Sequence, residues 1–134
     1  MTTELTMLAW SVALLILLVL VQALAGVRAM GLLPLANARD GLPAPTGFHA
    51  RMLRVVDNHR EGLTMFAPVV LVAAVADVHT AGTALGAQLF LGSRVTHAIV
   101  YMLGLPFIRP LIWAVGLTGI GLILHDVVIA GLHS

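Results

Sequence analysis

The chain has 134 residues, of which 60% are apolar and only 10% are charged, and its formal net charge is +1. A soluble domain carries roughly a quarter charged residues, so this composition excludes an ordinary soluble enzyme and indicates an integral membrane protein. The chain has no cysteine, which excludes disulfides, catalysis by a protein thiolate and cysteine-ligated metal sites. We expect no metal, because the histidines lack ligand spacing, and no nucleic-acid partner, because basic and aromatic residues do not alternate.

The apolar segments predict four membrane-spanning helices in a single all-α domain over residues 1–134, at about 20 residues per span. We place helices one to four at residues 5–30, 50–76, 80–105 and 108–132. Residues 31–47 hold three prolines and three glycines, which is typical of a loop. The continuous apolar part of helix two, residues 63–76, spans only about 21 Å. Helix two must therefore extend backward through Arg54 to cross a hydrocarbon core of about 30 Å.

The arginines predict the orientation in the membrane. All seven basic residues are arginines. Six of them lie in or beside the first and third loops, namely Arg28, Arg39, Arg51, Arg54, Arg60 and Arg109. The second loop and both termini have none. By the positive-inside rule, loops one and three are cytoplasmic and both termini are outside, and we expect a bacterial inner membrane.

Polar side chains recur along helices two and three at spacings of three or four residues, which places those of each helix on one face. They are Arg51, Arg54, Asn58 and Glu61 on helix two, and Arg94, His97 and Tyr101 on helix three. Because consecutive helices are antiparallel, both sets fall in the cytoplasmic half, where Arg28 ends helix one and Arg109 begins helix four. Ionisable groups at membrane depth are costly and usually face the bundle interior or a polar cavity.

These residues have two interpretations. Arg54 or Arg94 could pair with Glu61 and only fix the packing. The arginines outnumber the acids at this depth, however, and guanidinium groups bind carboxylates bidentately. The surplus of buried arginine predicts a small anionic ligand that enters from the cytoplasm.

Two sequence motifs resemble one family. Arg54-x-x-x-Asn58-x-x-Glu61 resembles the helix-two signature of the MAPEG family, the membrane-associated proteins in eicosanoid and glutathione metabolism. The run Arg94-Val95-Thr96-His97-x-x-x-Tyr101, followed by Ile108-Arg109, resembles the prostaglandin E synthase branch of that family. The resemblance covers essentially the whole chain, which is similar to a short, bacterial-type member.

The resemblance implies a homotrimer in the lipid bilayer that binds glutathione, as a co-substrate, at subunit interfaces. The glutathione-binding residues that it implies are Arg28, Arg51, Arg54, Asn58, Glu61, Arg94, His97 and Tyr101. It also implies that Arg109 is catalytic and lies at the thiol. A nearby cation favours the reactive thiolate at neutral pH.

Three positions depart from the family pattern. Gly62 and Trp113 stand where tyrosines occur in family members, and Pro110 stands where the prostaglandin synthase has a serine. Hydroxyl groups proposed for catalysis in the family are therefore missing, which makes an eicosanoid substrate unexpected.

The leading hypothesis is a glutathione-dependent membrane transferase or peroxidase acting on a small lipophilic electrophile. The alternative is a non-catalytic MAPEG-like protein that binds glutathione or another small anion, or is purely structural. A small four-helix drug exporter is a third hypothesis. Such exporters depend on an acid within helix one, whereas helix one here has only Glu4, at its outer end.

Small residues and histidines give two further predictions. Gly82 and Gly86 in helix three, and Gly116 and Gly119 in helix four, predict close packing of helix backbones. His49 and His59 are expected at the edge of the first loop.

Overall fold

The computed structural model describes residues 1–133, which form five helices and no strand. The helices are α1 (Thr3–Met30), α2 (Leu32–Ala36), α3 (Gly47–Val75), α4 (Ala81–Met102) and α5 (Arg109–Leu132). The four long helices α1, α3, α4 and α5 lie in the segments expected for helices one to four. The fold class is all-α, with one more helix than the sequence analysis expected.

The additional helix α2 lies in the first loop, where prolines and glycines predicted irregular structure. Its Pro34 lies in the first turn, where a backbone N–H has no acceptor within the helix, so the missing N–H of proline is compatible with a short helix. The N–H of Asn37 closes the helix by donating to the carbonyl of Leu33 at 3.2 Å. In the sequence Pro34 indicates a loop, whereas in the structure it lies in the first turn of a short helix.

Helix α4 ends three residues earlier than predicted because a glycine stops it. Gly104 has φ +71° and follows the last turn. The N–H of Leu105 donates to the carbonyl of Val100 at 3.1 Å, and that of Gly104 donates to Tyr101 at 3.0 Å. This glycine-terminated pattern satisfies carbonyls that the end of a helix leaves free.

Consecutive long helices run in opposite directions, and the two ends of the bundle carry different polar residues. At one end, the last turn of α4 meets the first turns of α3 and α5, which carry Arg51 and Arg109. We call this the arginine end. At the opposite carboxylate end, Thr83 of α4 donates a hydrogen bond to the buried carboxylate of Glu4, and Thr80 donates to Asp126 at 2.5 Å.

Aromatic stacking and close glycine contacts hold the bundle together. The rings of Phe66 on α3 and Phe90 on α4 stack with centroids 4.0 Å apart. A Cβ atom on Gly86 would collide with the carbonyl of Gly119, so α4 and α5 approach at the glycines. This contact confirms the predicted close packing of small residues.

The outer surfaces of α1 and α5 are apolar. Both helices are long and apolar enough to cross a membrane, with mean hydropathies of 2.5 and 1.9. Only 11% of the most apolar part of α1 and 28% of that of α5 is buried. Since the core helix of a soluble protein would be mostly buried, these exposed apolar faces fit contact with lipid.

Candidate functional site

A cavity of about 500 Å³ opens at the arginine end, between the first turns of α3 and α5 and the last turn of α4. We call it the arginine cavity. Its lining residues are Pro45, Thr46, Gly47, Ala50, Arg51, Arg54, Tyr101, Gly104 and Arg109, none of which is acidic. The structure thus brings together four of the predicted site residues from three helices, in a space suited to an anion.

Arg109 lies against Tyr101 in this cavity. Its guanidinium carbon is 4.3 Å from the centroid of the Tyr101 ring, which is within the range of a cation–π contact. Its Nε donates to the carbonyl of Leu105 at 3.0 Å. These two contacts hold the side chain and leave its terminal nitrogens as the donors for a ligand.

Arg51 carries a buried hydrogen-bond donor without a partner. The side chain is half-buried, and its guanidinium carbon lies 5.9 Å from the ring centroid of Phe48. Its Nε is shielded from solvent and has no acceptor. Leaving a buried donor unsatisfied costs about 1–3 kcal/mol, and no acceptor among the described residues relieves this penalty.

Arg94 is held inside the bundle rather than in the cavity. Only 4% of its surface is exposed, and its Nη1 donates to Oδ1 of Asn58 at 2.7 Å. Its guanidinium carbon lies 5.5 Å from the ring centroid of Phe90. Two glycines make room for it, since a Cβ would lie 3.4 Å from Nη1 at Gly62 and 2.6 Å from Nη2 at Gly116. Both glycines therefore lie next to the guanidinium group of Arg94.

His97 connects the buried arginine with the cavity. It is 5% exposed, and its ring centroid is 5.4 Å from that of Tyr101. The positive charges of Arg94 and Arg109 both act on it. A continuous row of polar side chains thus runs from Arg109 through Tyr101 and His97 to Arg94 and Asn58.

Two predicted site residues belong neither to the lining of the arginine cavity nor to the row of polar side chains that leads to Asn58. Arg28 and Glu61 are exposed in the single chain and do not line the arginine cavity. Glu61 attracts the charge of Arg94 but forms no ion pair with an arginine among residues 1–133. Fewer arginines are buried than the sequence analysis expected. Among residues 1–133, Arg94 is the one buried arginine, and Arg54 is exposed.

Both histidines expected at the loop edge are buried; His49 does lie at the edge of the first loop, in the first turn of α3, whereas the prediction is wrong for His59, which lies deeper in the bundle. His49 is 8% exposed and His59 is 3% exposed. Nε2 of His59 donates to the carbonyl of Ser11 at 2.9 Å and so joins α3 to α1. The signal was present in the sequence, because both histidines continue the three- and four-residue spacing of the buried positions Met52 and Val56.

A comparison with protein families identifies the family of this chain. Residues 7–127 match the model of the MAPEG family. The chain belongs to the MAPEG family. Membership supports a membrane protein with a glutathione-related function at the level of the family. No curated protein and no solved structure matches the chain.

Proposed function

We propose that this MAPEG-family protein is a glutathione-dependent transferase or peroxidase that acts on small lipophilic electrophiles in the membrane. The observation that supports it most is the arginine cavity, where three guanidinium groups and a tyrosine meet without an acidic lining residue. Glutathione carries two carboxylates, which arginine forks bind well. The volume, about 500 Å³, lies within the range of small-molecule sites.

In this proposal the arginines of the cavity bind different groups of glutathione. Arg51 and Arg54 receive the carboxylates, and the unpartnered Nε of Arg51 gains an acceptor. Arg109 lies at the thiol, where its charge lowers the pKa of the thiol and raises the fraction of thiolate. The thiolate is the nucleophile that attacks the electrophile arriving through the bilayer.

The proposed protein is a homotrimer of the prostaglandin E synthase type, in which α1, α3, α4 and α5 each cross the membrane. A neighbouring subunit would bring partners to the exposed Arg28 and Glu61, and Glu61 would then bind the glutathione amine. The arginine end faces the cytoplasm of a bacterial cell and both termini face outward, as the distribution of arginines favours.

A non-catalytic protein that binds glutathione or another small anion is the second candidate. Two observations favour it. The Nε of Arg109 is already engaged by the carbonyl of Leu105, in the connection between α4 and α5. Pro110 and Trp113 offer no hydroxyl beside it, and Trp113 lines a small cavity next to Arg94 instead of the arginine cavity.

A glutathione titration of the detergent-purified protein tests the binding. Arg54→Ala should weaken the affinity by about tenfold or more, because a charged hydrogen bond to a carboxylate is lost. Arg60→Ala is the matched control, since Arg60 lies on the same helix, is exposed and pairs with Asp57 at 2.6 Å. Equal affinities in the wild type and Arg54→Ala would refute the proposed site. Binding without turnover of an aryl halide would favour the second candidate.

A further inference from the structure

A second cavity, of about 570 Å³, lies at the arginine end between α1, the first loop and α3. We call it the loop-one cavity. Most of its wall is apolar, with Ala23 and Val27 from α1, Leu35 from α2 and Leu53 from α3 among the lining residues. Its volume falls within the range of small-molecule sites, and it exceeds that of the arginine cavity.

The loop-one cavity is separate from the arginine cavity. The two share Pro45 as a lining residue. His49 and Leu53, four residues apart on α3, face the loop-one cavity, whereas Arg51 and Arg54 line the other one on a different face of the same helix. A molecule in the loop-one cavity therefore has its own contacts and does not compete for the arginine cavity.

Three polar side chains line the loop-one cavity, and none of its lining residues is acidic. They are Gln22, Arg39 and His49. Arg39 keeps its terminal nitrogens for a ligand, since its hydrogen bond to the carbonyl of Leu35, at 2.8 Å, uses Nε. His49 is more than nine-tenths buried, and its Nδ1 has no hydrogen-bond partner. One permanent positive charge and a buried unpartnered imidazole suit a group with a single negative charge.

The edge of the cavity is apolar on the side of α2. Leu32 lines the cavity and is 65% exposed, and its neighbour Leu33 is 78% exposed. In a membrane protein, exposed leucines beside arginines are typical of the membrane interface, where acyl chains meet head groups. An occupant with an acyl chain would reach the cavity from the bilayer and leave its head group near Arg39.

We propose that the loop-one cavity binds a single-chain amphiphile with one negative charge. Its chain lies along the wall formed by α1 and α3, and its head group lies between Arg39 and His49. This inference does not depend on the proposed glutathione chemistry, because neither Arg39 nor His49 lines the arginine cavity.

A photoreactive palmitate analogue with a diazirine in its chain tests the proposal on the full-length protein in phosphatidylcholine nanodiscs. We expect the label on peptides that line the loop-one cavity, and we expect palmitate to compete about tenfold better than hexadecanol, which lacks the charge. Hexadecyl sulfate, which also carries one negative charge, is compared with palmitate. Competition by either anion supports the proposal, and the stronger competitor identifies the head group. Equal competition by hexadecanol overturns it.

Two pairs of variants localise the binding. Ala23→Trp fills the cavity from α1 and should abolish the label, whereas Leu24→Trp, at an exposed position one residue along, should not. Arg39→Ala should weaken palmitate competition by about tenfold, while Arg60→Ala should leave it unchanged. Full labelling in Ala23→Trp would show that the analogue reports only on the lipid-facing surface, and would overturn the proposal.

Discussion

Gly116→Ala is the substitution for which the structure makes the sharpest prediction. The new Cβ would lie 2.5 Å from Oγ of Ser93 and 2.6 Å from Nη2 of Arg94. Neither atom can withdraw easily, because Oγ of Ser93 donates a hydrogen bond to the carbonyl of Phe90 and the guanidinium group donates one to Asn58. Overpacking of this kind costs about 1–3 kcal/mol.

Gly121→Ala is the matched control for this prediction. Gly121 lies on the same helix, and nothing lies within 4 Å of the Cβ that it would gain. Alanine is favoured over glycine in a helix by about 0.5–1 kcal/mol, so Gly121→Ala should be neutral or stabilising. Gly116→Ala gains the same helix propensity, so the two variants should differ by the overpacking cost, about 1–3 kcal/mol in the free energy of unfolding.

Reversible unfolding of the purified protein in mixed micelles measures this difference. Adding Gly116→Ala to Arg94→Ala should cost less than adding it to the wild type, because the collision with the guanidinium group is then absent and only that with Oγ of Ser93 remains. If Gly116→Ala is as stable as Gly121→Ala, the close contact between α5 and Arg94 is wrong. If its cost is the same in both backgrounds, the collision is not with Arg94.

Three further predictions concern chemistry, assembly and the carboxylate end. Arg109→Ala should raise the pKa of the bound glutathione thiol, followed by thiolate absorbance, while binding persists; an unchanged titration with unchanged turnover would remove Arg109 from the chemistry. Native mass spectrometry should show a trimer, and a stable monomer or dimer would contradict the shared site. Thr83→Val should cost about 1–3 kcal/mol because it removes a hydrogen bond to the buried Glu4 carboxylate and the capping bond from the N–H of Thr80. Thr118→Val, which removes an exposed hydroxyl bonded within its own helix, should change stability little.

Helical spacing made much of the candidate site predictable from the sequence. Arg51 and Arg54 were expected on one face of a helix and do line one cavity, together with Tyr101 and Arg109. The short apolar part of helix two also indicated that the helix continues through Arg54, and α3 does so. These inferences use distances within one helix, which the repeat of 3.6 residues determines.

The remaining features depend on contacts between helices, which spacing does not determine. Whether Arg94 turns toward the cavity or into the bundle depends on the space that Gly62 and Gly116 leave on two other helices. The hydrogen bond from Thr83 to Glu4 joins residues 79 positions apart. Sequence spacing alone gives no signal for either contact.

The division between a fixed interior and an open cavity determines how mutations in this site should be interpreted. Arg94 already has a protein acceptor, an aromatic neighbour and two glycines shaped around it, so its replacement leaves Asn58 without its donor inside the bundle. Such a loss destabilises the fold whether or not a ligand is bound. Arg51 and Arg54 line an open cavity instead, and Arg51 lacks an acceptor for Nε. Weaker glutathione binding at unchanged stability therefore identifies a ligand contact, whereas weaker binding with lost stability identifies a residue that shapes the bundle around it.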